Sequence, residues 1–247
     1  MSGLYLALAV GVLIGLTDPP EDSGSYLYES SFSLDKDLRG VPQPYYLQPG
    51  DICFAINKHY LSRVGHRLSG AGRPNHSMIA FAHPNGQIWI MEAGPHSRLS
   101  LEANEAYSHL RQYITEGGRV WVRRRRTPLT AEQSEALTAF CLAQNGKIFP
   151  VVRLVGQLTP LRSRGWIRTA WMGKPDLDQR TYFCSELVLN ALVASGVLDP
   201  DPLRPSATYP RDLFFSASRN PHVHRGVALL DRDWEPPARW VFSIQHP

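Results

Sequence analysis

The stretch "TYFCSELVLNALVASG", residues 181–196, sets a cysteine between an aromatic pair and the first acid of an apolar-striped helix. Leu187, Val188, Ala191 and Leu192 share one stripe at helical spacing, and Cys184 joins it in the first turn. A cysteine at a helix N-terminus feels unpaired backbone N–H groups and the positive end of the helix dipole, and both favour the thiolate. That placement suits a nucleophile. It suits a core residue equally well, since free cysteine is among the most buried residue types. From this helix alone both readings stand.

The rest of the chain bounds the choice. Its 247 residues, 43% hydrophobic and 19% charged, fit a globular chain with one good core. The net charge of +4 is carried almost entirely by arginine, which favours anionic contacts without naming one. No nucleic-acid partner is expected, because the basic excess is small and no binding motif accompanies it. Cys53, Cys141 and Cys184 are an odd number at wide spacings with no CxxC, which fits neither a disulfide framework nor a cysteine-rich zinc site. "HVH" at His222–His224 has no acidic or cysteine partner at ligand spacing, so neither a metal nor another cofactor is expected.

No charged side chain precedes Asp18, and residues 1–17 read as an apolar export signal or membrane anchor, with residues 4–16 able to associate with a membrane. A buried first helix is the alternative. Residues 18–42, rich in Pro, Asp, Ser and Gly, read as a flexible spacer before a domain over 43–247. This order predicts a protein exported to the periplasmic or extracellular side, or anchored there.

Within the domain, Pro49-Gly50-Asp51 marks a turn and Ile52–Ile56 a strand. "NHSMIAFAHPNGQIWIMEAG" is a hairpin signal: Ser77–Ala82 and Gln87–Glu92 flank an Asn85-Gly86 turn. His76 therefore opens one strand and Glu92 closes the other, and the two become neighbours if they share a face. "GRVWVRRRR" predicts a further strand, and the arginine run Arg123–Arg126 reads as its solvated end or as a surface for anionic polymer or lipid headgroups. A helix capped by Thr130, with Gln133 three residues on, buries Leu137, Phe140, Cys141 and Gln144. "RGVALL" and "RWVFSI" read as closing strands. Residues 152–179, rich in Arg and Trp, read as a lid, a binding surface or a long surface loop.

A cysteine nucleophile needs a base and a group that orients the base. His76 and Glu92 supply both from one hairpin. The motifs "QPGDICF", "NHSMIAF", "IMEAG", "AFCLAQNGKIF", "YFCSELV" and "PSATYPRDL", in this order, resemble the YiiX and YaeF group of circularly permuted papain-like amidases, relatives of the NlpC-type cell-wall peptidases. The resemblance runs from about Leu47 to Ala217. It implies an α+β, circularly permuted papain-like fold, in which a small antiparallel sheet bearing His76 packs against helices, one of them carrying Cys184. It also implies Glu92 as the orienter. The family's "GKPYD" is "GKIFP" here, so Phe149 lacks the hydroxyl at that position. The expected chemistry is attack of the Cys184 thiolate on an amide or ester carbonyl, giving an acyl-enzyme, with a peptide or acyl-lipid substrate. The Cys184 N–H is the expected oxyanion donor, and Tyr182, Ser77 and His59 are candidates for a second donor or for substrate binding. A binding module that kept the fold and lost turnover is the alternative.

Overall fold

The computed structural model describes residues 24–28, 41–56, 72–94, 100–150, 153, 165, 169, 173–218, 220 and 233–242. The apolar segment 1–17, His59 and "RGVALL" lie outside the described residues, as does most of 152–179. Among the described residues no helix is long and apolar enough to cross a membrane.

Eight strands form one antiparallel sheet: β1 (Tyr26–Tyr28), β2 (Gln43–Pro44), β3 (Ile52–Ile56), β4 (His76–Ala82), β5 (Ile88–Ala93), β6 (Leu101–Glu105), β7 (Arg119–Arg123) and β8 (Ala238–Val241). Their order across the sheet is β2-β1-β8-β7-β3-β4-β5-β6. Four α-helices are described: α1 (Ala106–Thr115), α2 (Ala131–Gln144), α3 (Cys184–Ala194) and α4 (Pro210–Phe215). The chain is thus a mixed α and β protein built on an antiparallel sheet.

The central strands are buried on both faces, which is why β3 reads as the unbroken apolar run Ile-Cys-Phe-Ala-Ile. On one face Ile52, Phe54, Ile79, Phe81, Met91 and Trp121 pack against α2 and α3; on the other Cys53, Ala55, Met78, Ile90 and Trp240 pack with Leu110 and Tyr113 of α1. The β4–β5 hairpin forms, but its reversal spans His83–Gln87 rather than Asn85-Gly86 alone, with Gly86 N–H donating to His83 O and His83 N–H to Gln87 O, both at 2.9 Å. The Thr130–Gln133 capping box of α2 is present, and Leu137, Phe140, Cys141 and Gln144 are its buried residues.

Two expectations need correction. Tyr26–Tyr28, inside the range read as a flexible spacer, pairs with β8 and belongs to the sheet. The reason is that Ser25 is tied down: its hydroxyl donates to Tyr45 O and accepts from Trp240 Nε1. The arginine run is not uniformly solvated either, because the strand's alternation turns every second residue inward. Arg123 donates to the carbonyls of Leu213 and Phe214 at 2.9 and 3.1 Å, satisfying the last turn of α4. Arg125 is buried, with its guanidinium 4.4 Å from the Trp234 ring centroid. Arg124 and Arg126 face solvent.

The turn entering β3 is held by Asp51, which is fully buried and accepts from Gln48 N–H (2.9 Å), Tyr45 Oη (2.7 Å) and Arg125 N–H (2.9 Å). Gly50 occupies the left-handed region at φ 89°, where the Gln48–Asp51 turn requires a glycine. Removing the Asp51 carboxylate strands three donors. Asp51→Ala is therefore expected to destabilise the protein by about 3 kcal/mol or more in urea unfolding. A change below about 0.5 kcal/mol, the usual range for a surface substitution, would show that the carboxylate does not hold the turn.

Candidate active site

Cys184 is the first residue of α3, a helix that is buried nearly all round and packs on β4. Its first turn is secured by Glu186, whose carboxylate accepts the Phe183 N–H at 3.1 Å and pairs with Arg153 Nη2 at 3.0 Å. Phenylalanine has no side-chain acceptor to complete a capping box, so Glu186 supplies the side-chain cap alone. Ser185 Oγ donates to Thr208 O at 2.5 Å, tying the helix start to the segment before α4. Neither Ser185 nor Glu186 is left free for chemistry.

The register of the hairpin places Met78 opposite Glu92, so His76 and Glu92 are diagonal neighbours on one face. His76 Nε2 and Glu92 Oε2 are 2.7 Å apart. The remaining ring nitrogen, Nδ1, is left for the Cys184 thiol, with which His76 is in hydrogen-bonding contact. Gly94 lets the exit of β5 pass close to that ring: at φ 148°, a Cβ there would stand 3.3 Å from His76 Cε1. The same position would lie 3.8 Å from the Phe149 ring.

Glu92 itself is gripped by a helix the sequence reading did not mark. His109 Nε2 lies 2.8 Å from Oε1, and Tyr113 Oη donates to Oε2 at 3.0 Å. Both come from α1, whose N-terminus is capped by the Glu105 carboxylate accepting from Tyr107 and Ser108 N–H. The buried residues Ala106, His109, Leu110 and Tyr113 recur at i, i+3, i+4 and i+7. That periodicity was the available signal, masked because two of the four side chains are polar.

The electrostatics follow from these contacts. Burial opposes the Glu92 charge, but the bonds from His109 and His76 outweigh it and hold the carboxyl well below its usual range. Burial likewise opposes a charged His76, yet the bonds to Cys184 and Glu92 and their charges raise it to about 10. For Cys184 burial pushes up, while the bond to His76, its charge and the Ser77 N–H pull further down, so the thiol falls below its ordinary value. The favoured state is a thiolate beside an imidazolium. Cys53 and Cys141, fully buried without such a partner, are both pushed up. Cys184 is 8% exposed as a residue, whereas Cys53 and Cys141 are fully enclosed.

The candidate second donors separate. The Ser77 hydroxyl is buried, makes no full hydrogen bond, and lies near enough to the sulfur to favour its thiolate. The Tyr182 ring is in the core, and its hydroxyl is engaged by the carbonyls of Leu177 and Asp176 at 2.8 and 3.2 Å.

The site thus brings a thiol, an imidazole and a carboxylate together beside an antiparallel sheet. No family model and no curated protein matches the chain. Among solved structures it is similar to a crystal structure described as the metalloprotein YiiX from Escherichia coli, with 16% identity over 77% of this chain and 96% of that one and a TM-score of 0.45. Among the described residues here, no three His, Cys, Asp or Glu side chains form a group that could hold a metal ion.

Proposed function

We propose that this chain is a cysteine hydrolase or acyltransferase of the circularly permuted papain-like kind, acting on an amide or ester bond through an acyl-enzyme on Cys184. The observation that carries the reading is the unbroken line from the thiol through His76 to Glu92, with the second bond at 2.7 Å. The Cys184 thiolate attacks the carbonyl carbon. The oxyanion so formed is met by the Cys184 N–H, a first-turn amide with no helical acceptor, and the Ser77 hydroxyl is placed to assist. The imidazolium of His76 then protonates the leaving group, and as a neutral base it draws the proton from the water or acceptor that resolves the acyl-enzyme. Glu92 fixes the imidazole's orientation and favours its charged form.

Cell-wall peptides and acylated lipids are the substrate classes this reading proposes, the latter in keeping with an apolar segment over residues 4–16 that would export the domain or hold it at a membrane. The test is trapping. Short N-acyl-peptide thioesters and short-chain acyl esters are offered to the protein, and intact mass with peptide mapping reports the adduct. An acyl group on Cys184 of the parent and none on Cys184→Ala is the expected result. Absence of any adduct with either substrate, from a folded protein, would favour a binding module of the same fold.

A further inference from the structure

Across β4, β3, β7 and β8 the directly opposed residues run Ser77, Phe54, Trp121, Arg239. Opposed residues project from the same face of a sheet. Arg239 therefore stands on the face that carries Ser77 and the α3 helix. Three strand spacings of about 4.8 Å separate it from Ser77 by about 14 Å along the sheet.

The Arg239 guanidinium lies 4.7 Å from the Trp121 ring centroid, and Arg119 approaches the same indole at 5.6 Å. Stacking on an indole accounts for the plane of the guanidinium but not for its donors. Nε and Nη1 of Arg239 are buried and neither has a hydrogen-bond partner among the described residues. Burial first, and the charge of Arg119 second, press the Arg239 pKa down to about 9. A half-buried cation with two enclosed nitrogens left unpaired and a like charge beside it is unfavourable unless something anionic joins it. A planar guanidinium offers paired N–H groups that match a carboxylate or phosphate bidentately.

We propose that Arg239, with the charge of Arg119 beside it, is a subsite for a carboxylate or phosphate group on the acyl substrate. Resting on the Cys184 reading, this narrows the substrate to one that carries a carboxylate or phosphate group apart from its scissile carbonyl. Both a peptide with a free carboxylate and a lipid with a phosphate headgroup meet that description.

The test needs no turnover, so it remains readable whether or not Cys184 proves reactive. In the full chain carrying Cys184→Ala, thermal unfolding is followed as inorganic phosphate or acetate replaces chloride at fixed ionic strength. The expected result is a rise in the unfolding midpoint that Arg239→Gln weakens by about tenfold or more in apparent affinity, the scale of a charged hydrogen-bonded contact. Arg239→Lys, which keeps the charge and loses the paired donors, should fall between, and the exposed Arg124→Gln should match the parent. A second arm compares an N-acyl tetrapeptide with its C-terminal amide, and adds a short-chain phosphatidylglycerol. Preference for the free acid identifies a peptide carboxylate, and binding of the phospholipid alone identifies a headgroup. The proposal is overturned if phosphate and acetate shift the parent and Arg239→Gln equally, or if acid and amide bind alike and the phospholipid does not bind.

Discussion

Glu92→Ala is expected to lower stability by about 3–5 kcal/mol, the loss typical of removing one member of a buried charged network. The reason is local. Three donors converge on this carboxylate, His76 Nε2, His109 Nε2 and Tyr113 Oη, at 2.7, 2.8 and 3.0 Å, and all three side chains are buried. Alanine leaves them facing one another with no acceptor. The loss should depend on pH: a carboxyl held below its usual range contributes stability above the unfolded value of about 4.3 and loses it as pH falls through its folded value. Denaturant unfolding of parent and variant across acidic pH checks this, and the two curves should approach each other towards the acid end. Glu92→Gln keeps an acceptor and removes the charge, so it should fold better than Glu92→Ala while still reducing thiol reactivity on the acid side. Equal stability of parent and Glu92→Ala near neutral pH would contradict the network's structural role.

His76→Ala is expected to slow alkylation of Cys184 by about tenfold or more at pH 6, where a thiol of ordinary pKa near 8.5 is less than about 1% thiolate. Here the sign is fixed by two shifts. Cys184 is lowered, so its thiolate survives below the free-thiol range and is lost as pH falls through that lowered value. His76 is raised to about 10, so the imidazolium partner persists through neutral pH and is lost as pH rises through about 10. Both shifts act in the same sense, towards the thiolate–imidazolium pair. Without His76 only Ser77 remains to offset burial, and burial alone pushes a thiol up. Alkylation rates at pH 6, read by mapping the modified peptide, separate the two proteins, and equal rates would remove His76 from the activation of Cys184.

The proposed line of Cys184, His76 and Glu92 was partly legible because each of its members sits at an element end that local chemistry marks. The Asn85-Gly86 turn signal located the hairpin, and antiparallel geometry made His76 and Glu92 neighbours on condition of a shared face, which the Met78–Glu92 register supplies. The apolar stripe of α3 located Cys184 in the same way. What could not be read was whatever depends on chain distant in sequence. His109 and Tyr113 look like interruptions of an apolar stripe until Glu92 is seen beneath them. Arg123 looks like part of a solvated run until the α4 carbonyls, 90 and 91 residues away, are seen to accept from it. β1 is only three residues long, too short to show alternation, and joins the sheet through pairing with β8 near the other end of the chain. Tyr182 was a candidate donor, but its hydroxyl lies against the carbonyls of Asp176 and Leu177.

The measurement that bears most directly on the central claim is the pH profile of iodoacetamide labelling at Cys184 in the parent protein, with Cys53 and Cys141 as internal references in the same digest. Those two, fully buried and pushed up, should remain unlabelled while the fold holds. The account predicts that Cys184 labels at a near-constant rate from neutral pH to well below the free-thiol value of about 8.5, falling only at the acid limb. A single rise centred at or above about 8.5 would mean an ordinary thiol, and would contradict activation by His76.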